Sequence, residues 1–374
     1  MNRQNQSCFD VLVIGAGAAG IGVGIALKHA GVENFLIIDR HRVGASFDRW
    51  PAETRFITPS FPTNSIGMLD LNSVAIGVSP AFSLGVEHPT GQEFASHLRD
   101  VSKHFELPIQ TGVDVRRITL DGDRFGIETG ERQMYAKHLI WAAGEFQYPR
   151  LNGFVGAEHC VHTSHIKSYE ALTGDDWVII GGYESGVDAA YHLAANDRKV
   201  KLFDKGCPWK DESSDPSVAL STYSLERMTE EFFEAAVELF PHSPIQAVRK
   251  FDSDFEVKLI DGRHFTTKQP PILATGFEGS TKLVRDLFEA REDGYPLLST
   301  NDESTITPGM FLCGPSVRHE QHVFCFIYKY RQRFAVVAKA IATRLGLPAE
   351  ELEMYRKWGM YLDDLSCCGE ECAC

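Results

Sequence analysis

The chain lacks three features that would each have placed it in a particular class of protein. It has no run of ~18 apolar residues of the kind that crosses a membrane, and its first six residues, Met-Asn-Arg-Gln-Asn-Gln, lack the apolar core of a signal peptide. It has no excess of basic residues, because 37 lysines and arginines face 51 acidic residues and the formal net charge is −14. We therefore expect no membrane span, no targeting segment, and neither nucleic acid nor an anionic membrane as a partner.

Cysteine is sparse over most of the chain and clusters only near its end. Of nine cysteines, four lie among the last eight residues, as Cys367, Cys368, Cys372 and Cys374. The others are scattered, which is typical of a reducing compartment and not of a disulfide framework. We therefore expect a cytoplasmic protein. At 374 residues the chain is too long for one comfortable core, so about two domains are expected.

A glycine-rich turn near the start of the sequence indicates a dinucleotide site. An apolar strand from Val11 to Ile14 leads into Gly15, Gly17 and Gly20, and a helical pattern then leads to a second strand that ends at Asp39. In this spacing the first glycine makes the tight turn, the second lets backbone approach a pyrophosphate, and the third lets helix pack on strand. The pyrophosphate lies on the helix N-terminus, and the acid accepts hydrogen bonds from a ribose.

The segment after this unit is rich in loops and in aromatic residues. Phe47, Trp50, Phe56 and Phe61 all fall within it. A long loop in a compact domain is usually functional or disordered, and the aromatic content argues against disorder. The four rings could line a flat cofactor ring or fill a core, and the sequence leaves both readings open.

The next part of the chain predicts a helix and then a small antiparallel meander. The helix is predicted from Gln92 to Phe105 by its apolar spacing. Strands are predicted at Val113 to Leu120, Arg124 to Thr129 and Met134 to Ala142, and the last of them runs into Ala143-Gly144. This order suits an insertion that returns the chain to its parent sheet.

A second unit repeats the strand, turn, helix and strand order. Its strands are Asp176 to Ile180 and Lys199 to Asp204, the turn runs from Gly181 to Gly186, and a helix is predicted from Val187 to Ala195. Tyr183 stands where the central glycine belongs, and a side chain there should hinder the approach of a phosphate. Either the site bends around the tyrosine, or its affinity is reduced, or the unit binds nothing.

The choice between NADH and NADPH stays open at this second unit. Asp204 favours the unphosphorylated ribose of NADH. Lys201, Lys205 and Lys210 offer positive charge to the 2′-phosphate of NADPH.

The last third of the chain predicts a second meander and closing elements. A helix is predicted from Glu226 to Leu239, and a buried strand from Met310 to Ser316. Two more helices are predicted, from His322 to Arg344 and from Ala349 to Leu362. The meander and the strand that closes it are predicted at Ile245 to Phe251, Phe255 to Ile260, Arg263 to Thr267 and Pro271 to Phe277.

Over nearly its whole length this arrangement resembles the two-dinucleotide-binding-domain flavoproteins. The resemblance implies an α/β fold with two Rossmann-like domains, the second inserted in the first, each with a small antiparallel meander. It implies FAD on a domain of residues 1–150 and 276–374, and NADPH or NADH on residues 151–275. Ala274-Thr275-Gly276-Phe277 is similar to a turn of flavin-containing monooxygenases. Arg49-Trp50-Pro51, Thr58-Pro59-Ser60-Phe61 and the cysteine tail resemble compact bacterial relatives of those enzymes, including flavoproteins associated with cobalt–zinc–cadmium efflux.

The resemblance also implies which residues contact the two cofactors, with Val115 as an adenine contact. In the FAD-binding part it implies Gly15, Gly17, Gly20 and Asp39, and at the nicotinamide cofactor Gly181, Gly182, Ser185 and Gly186. The further residues predicted as cofactor contacts are Ala18, Ala19, Arg40, Ser46, Phe47, Trp50, Ala143, Gly144, Gly276 and Gly314 in the FAD-binding part, and Tyr183 and Glu184 in the second unit.

Three departures from the family pattern bear on the reaction. Gly314-Pro315 replaces a Gly-Asp pair, and the proline cannot donate a hydrogen bond. The monooxygenase pattern F-x-G-x-x-x-H is broken, because Phe154 and Gly156 are followed by His159 one residue early and His162 two residues late. The Cys-x-x-Cys pair that thioredoxin-reductase-like proteins hold beside the flavin is absent.

The predicted function is an FAD-dependent NAD(P)H oxidoreductase of flavin-monooxygenase type, in which hydride passes to FAD and then to oxygen or another acceptor. One alternative is a thiol, disulfide or metal-ion reductase that uses the cysteine tail, and another is a metal-binding redox partner with a structural FAD. His319, His322 and Cys325 are the catalytic candidates. The four tail cysteines are candidate ligands for a soft metal ion. The sequence does not identify the small-molecule substrate, and it leaves open whether the protein forms a homodimer.

Overall fold

The computed structural model describes residues 8–62, 69–130, 132–213 and 215–367, and strands and helices alternate along them. Seventeen strands lie in this part of the chain. They are β1 (Cys8–Ile14), β2 (Phe35–Asp39), β3 (Ile109–Thr111), β4 (Val115–Asp121), β5 (Arg124–Thr129), β6 (Gln133–Trp141), β7 (Val161–His162), β8 (Asp176–Ile180), β9 (Lys199–Phe203), β10 (Val237–Phe240), β11 (Ile245–Phe251), β12 (Asp254–Leu259), β13 (His264–Thr267), β14 (Ile272–Leu273), β15 (Met310–Leu312), β16 (Arg318–His319) and β17 (His322–Val323).

Nine α-helices lie in the same described ranges. They are α1 (Ala18–His29), α2 (Pro80–Leu84), α3 (Gly91–His104), α4 (Glu184–Ala194), α5 (Thr222–Met228), α6 (Glu231–Ala236), α7 (Ile327–Tyr330), α8 (Phe334–Arg344) and α9 (Met354–Lys357). Short 3-10 turns connect several of them. Among the residues described, none of these helices is long and apolar enough to cross a membrane.

The larger sheet surrounds the first glycine-rich turn. Its order is β3-β2-β1-β6-β5-β4, with β15 also paired to β6. The strands β1, β2, β3, β6 and β15 are parallel, whereas β4 and β5 add an antiparallel extension. Val11 to Ile14 of β1 are buried, as expected for a central strand covered on both faces. The predicted return of the first meander to its parent sheet is therefore observed.

Helix α1 packs against α8, which comes from the far end of the chain. The contact depends on Gly22, because a Cβ atom there would lie 2.0 Å from the ring of Phe334. The phenyl ring, which is fully buried, occupies the space that the missing side chain leaves. The pair brings the two helices close together.

The second unit has its own parallel sheet, in the order β10-β9-β8-β14-β7. Helix α4 packs on this sheet through the buried residues Val187, Ala190 and Leu193. A separate antiparallel sheet, β11-β12-β13, covers its other side. The two β-α-β units therefore repeat the same local plan, one in each parallel sheet.

The predicted helix from Glu226 to Leu239 is wrong at its last three residues and is interrupted at residues 229–230. The structure has α5, a break, α6, and then the strand β10, which pairs in parallel with β9. Val237, Leu239 and Phe240 continue the apolar spacing of a helix, but they are also strand formers. The open edge of β9 pairs with them, so a tertiary contact overrides the local pattern.

The bounds predicted for the last two helices are also wrong. The chain turns back at Glu320, which has a positive φ of 48°, and residues 318–323 form the hairpin of β16 and β17. The helical stretch therefore starts at Ile327 and not at His322. The final helix is a 3-10 turn followed by the single turn of α9, and Gly359 with φ of 64° follows it.

Candidate cofactor-binding site

The first glycine-rich turn leaves an open cradle at the N-terminus of α1. Gly15 has φ of 113°, and a Cβ atom there would lie 2.4 Å from the carbonyl oxygen of Ala142. A Cβ atom on Gly20 would lie 1.8 Å from the carbonyl oxygen of Gly15, so the turn cannot widen. At Gly17 a Cβ atom would meet nothing within 4 Å. The backbone of Gly17 therefore faces empty space, which is the geometry that a pyrophosphate requires.

Asp39 is fixed beside this turn by two backbone amides. Its Oδ2 accepts a hydrogen bond from the amide of Ala16 at 2.8 Å, and its Oδ1 accepts one from the amide of His41 at 2.7 Å. The carboxylate stands at the end of β2, next to the turn. This is where the acid of a dinucleotide site meets a ribose.

A cavity of about 390 Å³ extends from the turn to the second unit. Residues that the sequence predicted as cofactor contacts or catalytic groups form much of its wall. These are Gly15, Gly17, Ala18, Ala19, Asp39, Ser46, Phe47, Trp50, Ala143, Gly144, Glu184, Ser185 and Cys325. The cavity thus brings residues of both units together.

One wall of the cavity is a cluster of stacked aromatic rings. Trp50 and Phe56 have ring centroids 4.9 Å apart, and Phe47 lies 5.3 Å from Trp50 and 5.6 Å from Phe56. Phe94 of α3, which is fully buried, backs this cluster at 4.5 Å from Phe56. The first three rings pack against one another and line the cavity, whereas Phe61 does not line it. Contact of any of them with a flat cofactor ring stays a prediction.

The cavity also contains a carboxyl group and a thiol. Burial raises the pKa of Glu145, and the positive charge of Arg318 only partly offsets this effect. Burial also raises the pKa of the Cys325 thiol, whose Sγ donates to Oγ of Ser217 at 3.2 Å. Both groups are therefore held in the protonated form more firmly than in water.

The second turn has the same backbone frame as the first. Gly181 has φ of 108°, and a Cβ atom there would lie 2.3 Å from the carbonyl oxygen of Ala274. Asp204 accepts from the amides of Gly182 and Gly206, each at 2.7 Å, as Asp39 does in the first unit. Tyr183 precedes α4 with φ of −87° and ψ of −167°, where Gly17 has −86° and −168°. The unit is a dinucleotide fold with a side chain placed at the phosphate position.

A family comparison agrees with this geometry. The model of the pyridine nucleotide-disulphide oxidoreductases matches residues 12–314, which include both glycine-rich turns. This chain belongs to that family. Membership confirms the predicted oxidoreductase with FAD and a nicotinamide cofactor.

Individual curated relatives share less than a third of their aligned residues with this chain. The uncharacterized oxidoreductase CzcO of Bacillus velezensis is 29% identical over 192 residues, which are 50% of this chain and 52% of the relative. The chain thus matches about half the length of that curated relative.

Solved structures show the same fold. The bacillithiol disulfide reductase Bdr (YpdA) of Staphylococcus aureus has a TM-score of 0.74 at 18% identity and covers 91% of this chain and 99% of its own. A flavin-containing monooxygenase of Stenotrophomonas maltophilia has a TM-score of 0.71 at 16% identity and covers 91% and 100%. These likenesses confirm the α/β fold with two Rossmann-like units, while the residue bounds of the two domains stay a prediction.

Several residues predicted as cofactor contacts in this oxidoreductase do not line the cavity. Gly314 packs on the first turn, since a Cβ atom there would lie 3.2 Å from that of Ala19. Arg40 donates to Oε1 of Gln147 at 2.9 Å, and Gly276 accepts from the amide of Arg150 at 2.9 Å. The predicted contacts outside the residues that line the cavity are Gly20, Arg40, Val115, Gly181, Gly182, Tyr183, Gly186, Gly276 and Gly314.

The two candidate catalytic histidines lie in the hairpin of β16 and β17 and do not line the cavity. His319 is buried, and its Nε2 lies 2.5 Å from Oδ1 of Asp302. The same carboxylate accepts from Nε and a terminal nitrogen of Arg333, both at 2.9 Å. His322 is the cross-strand partner of His319. The structure thus places His319 in a buried ionic network, and a catalytic role for either histidine stays a prediction.

The cysteine tail lies almost entirely outside the described residues. Only the backbone of Cys367 falls within them, in a short 3-10 turn. Cys368, Cys372 and Cys374 are beyond them, so the proposed soft-metal site stays a prediction.

The structure reveals cavity residues that the sequence reasoning missed. Those nearest the first turn follow Gly144 directly, and they were detectable because they stand at the carboxyl end of β6, the edge where ligands bind in such sheets. Others come from distant segments with no local signal. The missed lining residues include Thr54, Arg55, Asn72, Glu145, Phe146, Gln147, Thr163, Tyr169, Asp188, Phe277 and Tyr330.

A hydrogen bond from Thr54 to Asp188 joins the two units, and Asp188 also forms a buried ion pair with Arg227 inside the second unit. Oδ2 of Asp188 accepts from Oγ1 of Thr54 at 2.6 Å, and Oδ1 accepts from Arg227 at 2.9 Å. Burial opposes the charge on Asp188, but the hydrogen bonds and charges of His192, Arg227 and Thr54 outweigh it and lower the pKa of Asp188. The contact links the first loop region of the oxidoreductase to helix α4.

We predict that Asp188 makes the stability of this oxidoreductase fall in acid. Because its pKa is lower in the folded state, its contribution is complete above the unfolded pKa of about 4 and is lost as the pH falls through the folded value. Asp188→Asn should therefore lower the free energy of unfolding near neutral pH and flatten its decline below about pH 5.

Urea unfolding at a series of pH values measures this effect. Asp176→Asn is the matched control, because Asp176 is exposed at the start of β8 in the same unit. Equal pH profiles for the wild type and Asp188→Asn would contradict the prediction.

Proposed function

We propose that this oxidoreductase takes electrons from NADH or NADPH and delivers them to molecular oxygen in the oxidation of a small organic substrate, as flavin-containing monooxygenases do. The observation that supports this best is the single cavity that joins the first dinucleotide turn, an aromatic wall and residues of the second unit. Oxygen chemistry at a reduced cofactor needs a site from which water is excluded. The stacked rings of Phe47, Trp50 and Phe56 supply such a wall.

The residues at the first turn fit FAD. The amides at the start of α1 and the open space over Gly17 would hold its pyrophosphate, and Asp39 would hold its ribose. Bound FAD supplies the chemistry of accepting hydride and passing electrons onward. Glu145, whose pKa is raised, would hold a proton on its carboxyl group inside the cavity.

Disulfide reduction is the second candidate, and one observation favours it. Cys325 lines the cavity, and one neighbour in fold is a bacillithiol disulfide reductase. Two features weigh against it. Cys325 is the one cysteine among the described lining residues, and burial raises the pKa of its thiol, whereas exchange with a disulfide requires a thiolate.

The decisive experiment follows the flavin spectrum without oxygen. We expect millimolar NADH or NADPH to bleach the visible flavin band of the purified yellow protein, and air to restore it. With a panel of small amines, sulfides and ketones, oxygen uptake should then exceed the hydrogen peroxide released. Free FAD in the same buffer is the control.

Two outcomes would change the assignment. Recovery of the band under anaerobic conditions by low-molecular-weight disulfides, with little reaction in air, would favour the second candidate. A flavin that is bleached by dithionite but by neither NADH nor NADPH would overturn the proposed function.

We also retain the cytoplasm as the proposed location, because the five cysteines in the body of the chain are all free thiols in the structure.

A further inference from the structure

The two dinucleotide turns share one backbone geometry but differ in what lies above them. The space over Gly17 is open, and the first turn forms part of the cavity. Tyr183 has nearly identical φ and ψ, so its side chain leaves the backbone in the direction that is empty at Gly17. Its hydroxyl group reaches the carbonyl oxygens of Pro216 and Ala219, at 2.7 and 2.6 Å.

Glu184, the residue after Tyr183, bonds to the same stretch of chain that contains Pro216 and Ala219. The carboxylate of Glu184 accepts from the amide of Ser221 at 2.6 Å and from Oγ of Ser224 at 2.5 Å. Glu184 is the first residue of α4, so these hydrogen bonds hold residues 221–224 against the helix end at which a cofactor phosphate is expected. We call residues 215–224 the cover segment.

A tryptophan fills the adjacent face of the turn. A Cβ atom on Gly182 would lie 2.5 Å from the indole ring of Trp209. The indole Nε1 is buried and has no hydrogen-bond partner among the described residues. Such a donor normally finds an acceptor, and a ligand in the turn would bring one.

The start of the cover segment is held by the FAD-binding half of the molecule. Lys329 of α7 donates to Oδ1 of Asp215 at 2.6 Å and to Oγ of Ser217 at 2.7 Å. Oγ of Ser217 also accepts from Cys325, which lines the cavity. The segment is thus attached to the second turn on one side and to the cavity wall on the other.

We propose that the cover segment closes the second dinucleotide turn, with Tyr183 as its latch, and that the nicotinamide cofactor binds only after the segment has moved away. The inference rests on the proposed function, because it concerns the same cofactor. A site that is open in only a fraction of the molecules binds with an affinity reduced by that fraction. Weakening the latch must then tighten cofactor binding.

The test measures binding directly and does not depend on turnover. FAD-loaded full-length protein is titrated by calorimetry with ADP-ribose, NAD⁺ and NADP⁺, which cannot reduce the flavin. Tyr183→Phe keeps the ring and removes the one hydroxyl proton that the carbonyl oxygens of Pro216 and Ala219 share, so Kd should fall by roughly 2- to 10-fold. Lys329→Met removes the hydrogen bonds from Lys329 to Asp215 and Ser217 and should also lower Kd. Tyr191→Phe is the matched control, because among the described residues its hydroxyl group bonds to Glu230 alone, at the surface.

Hydrogen exchange provides an independent measurement. The amides of residues 215–224 should exchange faster in Tyr183→Phe and Lys329→Met than in the wild type or Tyr191→Phe. Unchanged Kd and unchanged exchange would overturn the proposal, and so would a higher Kd, which would make the tyrosine a direct contact. Failure of every variant to bind any of the three ligands would also overturn it, because no site would lie beneath the cover. If Kd falls in Tyr183→Phe and Lys329→Met but NADH and NADPH do not bleach the flavin, the proposed function is wrong and the proposal about the cover segment is still supported.

Discussion

Gly17→Glu should give a folded protein without FAD. The backbone of Gly17 has φ of −86° and ψ of −168°, which any residue can adopt, and a Cβ atom there meets nothing within 4 Å. The glutamate side chain therefore causes no clash in the fold. It projects into the cradle at the N-terminus of α1 and places a negative charge where the pyrophosphate lies. We expect flavin content to fall by at least about tenfold, because a carboxylate roughly 4 Å from a phosphate costs about 4 kcal/mol at the effective dielectric constant of a protein surface.

The measurement is the ratio of flavin to protein absorbance after purification, together with the circular dichroism spectrum. Gly153→Glu is the matched control, because Gly153 is exposed, a Cβ atom there also meets nothing within 4 Å, and the charge change is the same. A yellow Gly17→Glu protein with full flavin content would refute the assignment of this turn to FAD.

Asp302→Ala should destabilise the fold strongly. Asp302 is 0% exposed and holds Arg333, which is 1% exposed, through two hydrogen bonds of 2.9 Å. Without the carboxylate the guanidinium stays buried and unpaired. Loss of one partner of a buried pair costs about 3–5 kcal/mol in the free energy of unfolding.

Chemical denaturation in urea at neutral pH measures the loss. The control is Asp286→Ala, because the Asp286 side chain is 96% exposed and its contact with Arg285 is 3.7 Å long. We expect less than about 1 kcal/mol for that exposed pair. Equal losses for the two variants would show that the buried network does not stabilise the fold.

The parts of the fold that were predictable from sequence are those that local pattern specifies. Both β-α-β units follow from short apolar runs, glycine spacing and a terminal acid, and each occupies a stretch of about 30 residues. The residues of the first turn that line the cavity were found in the same way. The strand β10 was missed because Val237, Leu239 and Phe240 suit a helix and a strand equally, and only the edge of β9 decides between them.

The remaining features depend on contacts between distant segments. The Tyr183 hydroxyl group reaches carbonyl groups 33 and 36 positions further along the chain, and Arg333 meets Asp302 from 31 positions away. No periodicity or motif encodes such pairs. Sequence reasoning could say that a side chain at position 183 obstructs a phosphate, but not that the same side chain holds a cover in place.

The contact between Gly22 and Phe334 has an evolutionary consequence. Since the phenyl ring lies where a Cβ atom at position 22 would stand, a methyl group at that position is tolerated only if a smaller side chain replaces the ring. The two positions should therefore change together in descendants of this sequence, although one lies near the beginning of the chain and the other lies beyond the residues matched by the family model. Because the two side chains share one volume, a change at either position restricts which residues the other can carry.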